Sequence, residues 1–170
     1  MATNNQVYYN RYNSVTNKYK KIRFISARGQ QSSEHNELQE ILLENNREIF
    51  NTLFTNGSIV SGGNINRDGL TLSIEAGIIY YDGLTVKVPA GIITLIAGED
   101  DDIGVLLSEN IITSTNNPDL LNPAVETLLY KQKGADRLEI VGEWKKSSES
   151  SNLASNQKFF TRYTVVEGNL

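Results

Sequence analysis

The chain has 170 residues, 39% of them hydrophobic and 21% charged, a composition that supports one core of ordinary size and excludes a disordered polypeptide. It contains no cysteine and one histidine, which rules out disulfides, thiolate metal sites and multi-histidine centres. No run of about 18 apolar residues and no signal-peptide pattern occurs, so neither a membrane partner nor export by that route is expected.

The formal net charge of -4 conceals an asymmetry. Arg11, Lys18, Lys20, Lys21, Arg23 and Arg28 fall among the first 33 residues with no acid, so that segment carries +6. The other 10 basic and 20 acidic residues leave the remainder at -10. With Tyr8, Tyr9, Tyr12, Tyr19 and Phe24 interleaved, residues 1–31 read as an extended basic arm. Such an arm can grip single-stranded nucleic acid, because cations meet phosphates and rings stack on bases. It can equally dock on an acidic protein surface with its rings as anchors. No RNA-binding signature or Gly-rich phosphate loop accompanies it, so the expectation is a protein surface and no nucleic acid. The residues expected to dock are Tyr8, Tyr9, Arg11, Tyr12, Lys20, Lys21 and Arg23. Within the arm, KIRFISAR (21–28) alternates Ile22 and Phe24 with basic residues and is expected as a short strand or edge ribbon.

Residues 32–57 predict one long amphipathic helix, capped by Ser32 or Ser33, with Glu34 and Glu37 near its positive end and Asn56-Gly57 as its stop. That is about 22 helical residues, or roughly 33 Å. Glu37, Glu40, Glu44, Arg47 and Glu48 gather on one narrow face, while Leu38, Ile41, Leu42, Leu43, Ile49, Phe50, Leu53 and Phe54 spread over more than half the circumference. One small sheet cannot cover that much apolar surface, so sister copies are expected to meet along it, through Leu38, Leu42, Asn45, Ile49 and Leu53. Leu38, Leu42, Asn45, Ile49 and Thr52 follow a four-three-four-three spacing, too short for a self-sufficient coiled coil. Asn45 and Asn46 lie inside the apolar arc, where they either fix register between copies or bond to loops of their own subunit.

Residues 58–170 predict an antiparallel β domain, since SIVSGGNI, GLTLSIEAG, GIIYYDGLTVKVPAG, GIITLIAG, DIGVLLSENIIT, AVETLLYK, DRLEIVGEWKK and KFFTRYTVVEG read as short strands separated by turn residues. The surest hairpin turns at Asp82-Gly83, placing Ile79, Tyr81, Leu84, Val86 and Val88 on one apolar face, with Thr85 and Lys87 on the other. Residues 116–123 read as a loop and KKSSESSNLASNQK (145–158) as a mobile polar connector. The fold class is therefore α+β, mostly β: an extended arm, one helix, then the β domain, assembled as an oligomer.

Chemistry-bearing constellations are sparse. His35 beside Glu34 is too little for a metal or for acid-base work. The run Glu99, Asp100, Asp101, Asp102 lacks the alternating ligands of a calcium loop and reads as a solvated turn. Glu75, Asp82, Glu126, Asp136, Glu139 and Glu143 offer no identifiable glycosidase pair. The expectation is no enzyme, no cofactor and no metal. Tyr80, Tyr81, Trp144 and Tyr163 can stack on sugar rings or pack in a core, and a host-surface glycan binder using Tyr80, Tyr81, Trp144 and loop 98–102 is the alternative function.

Four segments extend the reading. RGQQSSEHNELQEI, followed after one helix by LFTNGSIVSGG, is similar to the opening of a family of tailed-bacteriophage baseplate and tail-fibre proteins, on Arg28, Gly29, Gln31, Ser32, Glu37, Leu38 and Gln39, then Phe54, Gly57, Val60, Gly62 and Gly63. GADRLEI (134–140) and FFTRYTVVEG (159–168) resemble later segments of the same module. His35 and Asn36 depart from the usual helix start, and the sequence stops at Leu170, where longer relatives continue into a fibre. The resemblance implies a virion structural protein, made in the host cytoplasm, that assembles as a homo-oligomer, with a trimer favoured. Its implied partners are sister copies and other baseplate and tail-fibre proteins, which it joins to the tail.

Overall fold

In a computed structural model, Tyr8 and residues 11–13, 15–16 and 19–166 are described. Among them one α-helix and nine strands make an α+β protein that is mostly β. They divide into two compact units, one drawn from residues 1–55 with Asp82–Leu84, the other from 56–81 with 85–170.

In the first unit, α1 spans Ser32–Phe50. Its N-cap is Gln31, in extended conformation, rather than Ser32 or Ser33, and the Glu34 carboxylate accepts the Gln31 N–H at 2.8 Å. That back-reaching bond satisfies a backbone donor and sets an acid at the positive end of the helix dipole. The helix is shorter than expected. After Phe50 the chain tightens into turns, Thr52 and Leu53 donating three residues back to Ile49 and Phe50 while the Thr52 hydroxyl bonds the Ile49 carbonyl at 2.6 Å. A hydroxyl competing for that carbonyl favours termination over continued α-helix. Gly57, expected as the helix stop, instead donates its N–H to Tyr80 O at 2.8 Å in the second unit. Residues 21–28 form no strand: they lack a neighbouring strand to pair with, and the run closes in a turn in which Arg28 N–H reaches Ile25 O and Ala27 takes φ +62°.

The second unit holds three antiparallel three-stranded sheets. The first places β4 (Gly77–Tyr81) between β1 (Ile59–Gly62) and β5 (Leu84–Val88), the second β3 (Thr71–Ile74) between β2 (Ile65–Asp68) and β6 (Gly91–Thr94). The third centres on the twelve-residue β7 (Asp101–Ile112), flanked by β8 (Arg137–Lys146) and β9 (Gln157–Val165). Period-two alternation produces these strands: Leu72 and Ile74 are buried around exposed Ser73, and Val86 and Val88 around exposed Lys87. The β4–β5 hairpin turns at Asp82 (φ +48°) and Gly83 (φ +83°), the paired positive φ values of a two-residue hairpin turn. Ile79, Tyr81, Val86 and Val88 are buried as expected, while Leu84 at the tip is 37% exposed.

β7 is buried through Ile103–Leu107, as befits a central strand paired on both edges. It runs against β8 from Ile103↔Lys146 to Ile112↔Arg137 and against β9 from Asp101↔Val165 to Ser108↔Gln157, with a bulge between Ile103 and Gly104. At Gly104 a Cβ would lie 2.2 Å from the Phe160 carbonyl oxygen, so no larger residue fits beside β9. Leu72, Ile74, Ile79, Tyr81, Val86, Val88, Ile93, Leu95, Ile103, Val105, Leu107, Trp144 and Val165 form one core, drawn from all three sheets.

Two expectations for this unit change. AVETLLYK (124–131) is turn rather than strand: Ala124 N–H bonds the Asn122 side chain at 2.9 Å, Tyr130 N–H bonds Thr127 O, and Glu126 and Lys131 take positive φ. Local bonds from Asn and Thr satisfy the backbone there in place of a ladder. The connector after β8, expected to be mobile, is tied down. Asp101 accepts from the hydroxyls of Ser147 at 2.7 Å and Ser148 at 2.6 Å and from Ser148 N–H at 3.2 Å.

Candidate assembly surfaces

The helix exposes an apolar stripe. Ile41 is buried, yet Leu42 is 56% exposed, Ile49 59% and Leu53, in the turn past the helix, 69%. Leu42, Asn46 and Ile49 are separated by four and three residues and share one face. Of the interface residues expected from the sequence, Leu42 and Ile49 stand on this stripe, Leu53 is exposed in the turn beyond the helix end, and Leu38 and Asn45 are half-buried. Asn45 Oδ1 accepts from Lys20 Nζ at 3.4 Å, so its amide is engaged within its own chain, and exposed Asn46 is the polar residue inside the stripe.

Three described arm residues contact the helix or its cap. Arg11 donates to the Gln31 side chain at the helix start, Lys20 pairs with Glu48 at 2.8 Å near its end, and the Phe24 ring returns to His35 with centroids 5.9 Å apart. The Glu48 hydrogen bond raises the Lys20 pKa above its ordinary value, outweighing the small cost of desolvation. Lys21 and Arg23 are exposed, Tyr12 is half-buried, Tyr8 is exposed, and Tyr9 lies outside the described residues.

The same unit contains an ion pair that sequence reasoning missed. Arg47 grips Asp82 with two bonds, Nε to Oδ1 at 2.8 Å and Nη2 to Oδ2 at 2.7 Å, and reaches Glu44 at 3.1 Å. The Asp82 hydrogen bond, ahead of the opposing desolvation, raises the Arg47 pKa. No local pattern announces a pair 35 residues apart; the only hint was an arginine alone among the glutamates of its face.

The rings proposed for glycan stacking are not available. Tyr80, Tyr81 and Trp144 are 1%, 4% and 6% exposed, and half-buried Tyr163 packs against the same core. The Tyr81 hydroxyl donates to Glu109 at 2.5 Å and accepts from Lys158 at 2.5 Å. Burial, then the Glu109 hydrogen bond, pushes its pKa up. Of the residues expected as loop 98–102, Asp101 opens β7 and is occupied by the serines described above. Burial would lift its carboxyl, but the hydrogen bonds from Ser148 and Ser147 prevail and hold its pKa below the ordinary value. Among the described residues no group of three His, Asp or Glu side chains is placed to hold a metal ion.

No curated protein matches this chain. A solved chain from "The baseplate complex from the type VI secretion system" is similar to it at 8% identity with a TM-score of 0.46, over 87% of this chain and 54% of that one, so the present chain spans about half its length. Residues 6–170 match the family described as a domain of unknown function, DUF4815, and the chain belongs to that family.

Proposed function

We propose that this chain is a structural assembly module of a tailed-phage virion, a baseplate or tail-fibre attachment protein that forms a homo-oligomer, with a trimer favoured, and joins fibre or peripheral components to the tail. The observation that carries the reading is the exposed stripe of Leu42 and Ile49, with Leu53 exposed beyond the helix end. Full burial of such a side chain is worth about 1.5–3 kcal/mol, so three of them leave a large gain for association. The motif segments at 28–39 and 54–63 support the phage assignment by resemblance. In this reading the helices of neighbouring copies meet along the stripe, with Asn46 limiting the register, because a misaligned pairing would bury its amide unsatisfied. The basic arm, through Tyr8, Arg11, Tyr12, Lys20, Lys21 and Arg23, holds a neighbouring protein surface, and no catalysis is assigned.

Light scattering on the full chain tests this. A mass two or more times that of one copy, falling to one copy on Leu42→Asp, supports the module; a monomer at high micromolar concentration overturns it. The glycan-binding alternative is not favoured by any observation here, because its aromatic residues lie in the core.

A further inference from the structure

β8 is an edge strand of ten residues, paired with β7 on one side and, among the described residues, with no strand on the other. Natural sheets usually blunt such an edge with lysine, proline or a cover. Arg137 at one end of β8 and Lys145 and Lys146 at the other, where Lys146 Nζ donates to Thr94 O of β6 at 3.3 Å, are such devices, but residues 138–143 between them hold neither lysine nor proline. Gly142 and Trp144 face the core, while Glu139, Val141 and Glu143 are exposed on the opposite face and Leu138 is exposed beyond the core. The edge is therefore acidic on one face and apolar at its open end. Glu143 has one cation near it, Lys145 at 3.7 Å.

The arm carries the complementary pattern. In residues 21–24, Lys21 and Arg23 alternate with Ile22 and Phe24, and no acid occurs before Glu34. This segment has the period-two signature of a strand but forms none in the single chain, where Lys21 and Arg23 are exposed and Phe24 is 45% exposed. Added to the β8 edge, its cations fall on the face of Glu139 and Glu143, and its apolar side chains on the face of Leu138 and Ile140. Cross-strand charge pairs and apolar pairs are what stabilise such an addition, and backbone hydrogen bonds supply the rest.

We propose that residues 21–24 of one copy add as a strand to the free β8 edge of a second copy, so that the arm ties neighbouring copies of the module together. This rests on the reading that the chain self-associates, and it adds a second link between copies, separate from the helix stripe.

The chain has no cysteine, so introduced ones are unambiguous. Two full-length chains with tags of different mass, one carrying Arg23→Cys and the other Glu139→Cys, are mixed and oxidised. A disulfide joining the two tags supports the proposal. Absence of that product while the wild-type chain is oligomeric by light scattering overturns it, as does closure only within a single chain carrying both changes. A charge swap gives an independent readout. Lys21→Glu with Arg23→Glu weakens association roughly tenfold, Glu139→Lys with Glu143→Lys does the same, and combining all four restores it to within about twofold. Lack of rescue counts against the strand pairing. A wild-type chain that never associates would instead remove the underlying self-assembly reading, so the two failures are told apart.

Discussion

The two units distribute their apolar residues in opposite ways. The β unit turns thirteen of them into one buried core, with side chains from all three sheets below 10% exposure. The helix buries Ser33 and Ile41 and leaves Leu42, Ile49 and Phe50 in solvent. A strand in a sheet obtains its neighbours from the same chain, through hairpins that return it to the ladder. The helix has a wide apolar arc, and among the described residues there is no second α-helix to meet it. The β unit therefore has the makings of independent stability, whereas the helical unit keeps large apolar side chains exposed, and under the proposed function stability and association should respond to different substitutions.

The largest effect on stability is expected in the core. Trp144→Ala should cost about 3–5 kcal/mol through lost contacts and a residual cavity, read as a lower urea midpoint. If association strengthened while stability fell, the division between the units would be wrong. Next comes Ile49→Asp, expected to lower the affinity between copies at least about 100-fold, by loss of one buried apolar side chain and introduction of a charge at the seam. Sedimentation should show this as a shift to monomer, with the denaturation of the β unit unchanged. A linked loss of both would mean that the β unit depends on the assembly.

A smaller effect is expected at the Arg47–Asp82 pair. Its charged hydrogen bonds are strong, but Asp82 is 49% exposed and screened by solvent, so Arg47→Ala should cost about 1–2 kcal/mol, measured by thermal unfolding. Acid provides a gentler test within the β unit. Because the Asp101 pKa is lower in the folded protein, its contribution to stability is present above the unfolded value near 3.8 and is lost as pH falls through the folded value. Asp101→Asn should therefore flatten the acid limb of the stability curve and lower stability at neutral pH slightly. Smallest of all, Lys20→Ala removes an ion pair between exposed side chains and should leave the melting temperature unchanged.

Much of the β unit was legible in the residues. Asp82-Gly83 between alternating runs specifies a hairpin because the turn needs positive φ at both positions, and the burial of Ile79, Tyr81, Val86 and Val88 follows from period two. The mixed α and β character was equally plain from the change of periodicity near residue 58. What the sequence misjudged were stretches whose fate depends on neighbours. Segment 124–131 has the apolar content of a strand, yet the Asn122 side chain accepts the Ala124 N–H and the Thr127 hydroxyl donates to the Ala124 carbonyl, and Leu128 ends 98% exposed. Tyr80, Tyr81 and Trp144 look alike in sequence whether they line a groove or fill a core; three sheets closing on Tyr81 and Trp144 decided the matter for those two, and Tyr80 is buried as well.

The chain by itself determined the oily arc of the helix, the opposite charges of arm and body and the hairpin turn, because periodicity, charge and backbone preference are local properties. Only the tertiary structure decided which part of that arc faces water, that Asn45 is taken by Lys20 while Asn46 is not buried, and that Arg47 finds Asp82. Each of those outcomes depends on residues distant in sequence arriving at the same place, and local patterning carries no information about such meetings.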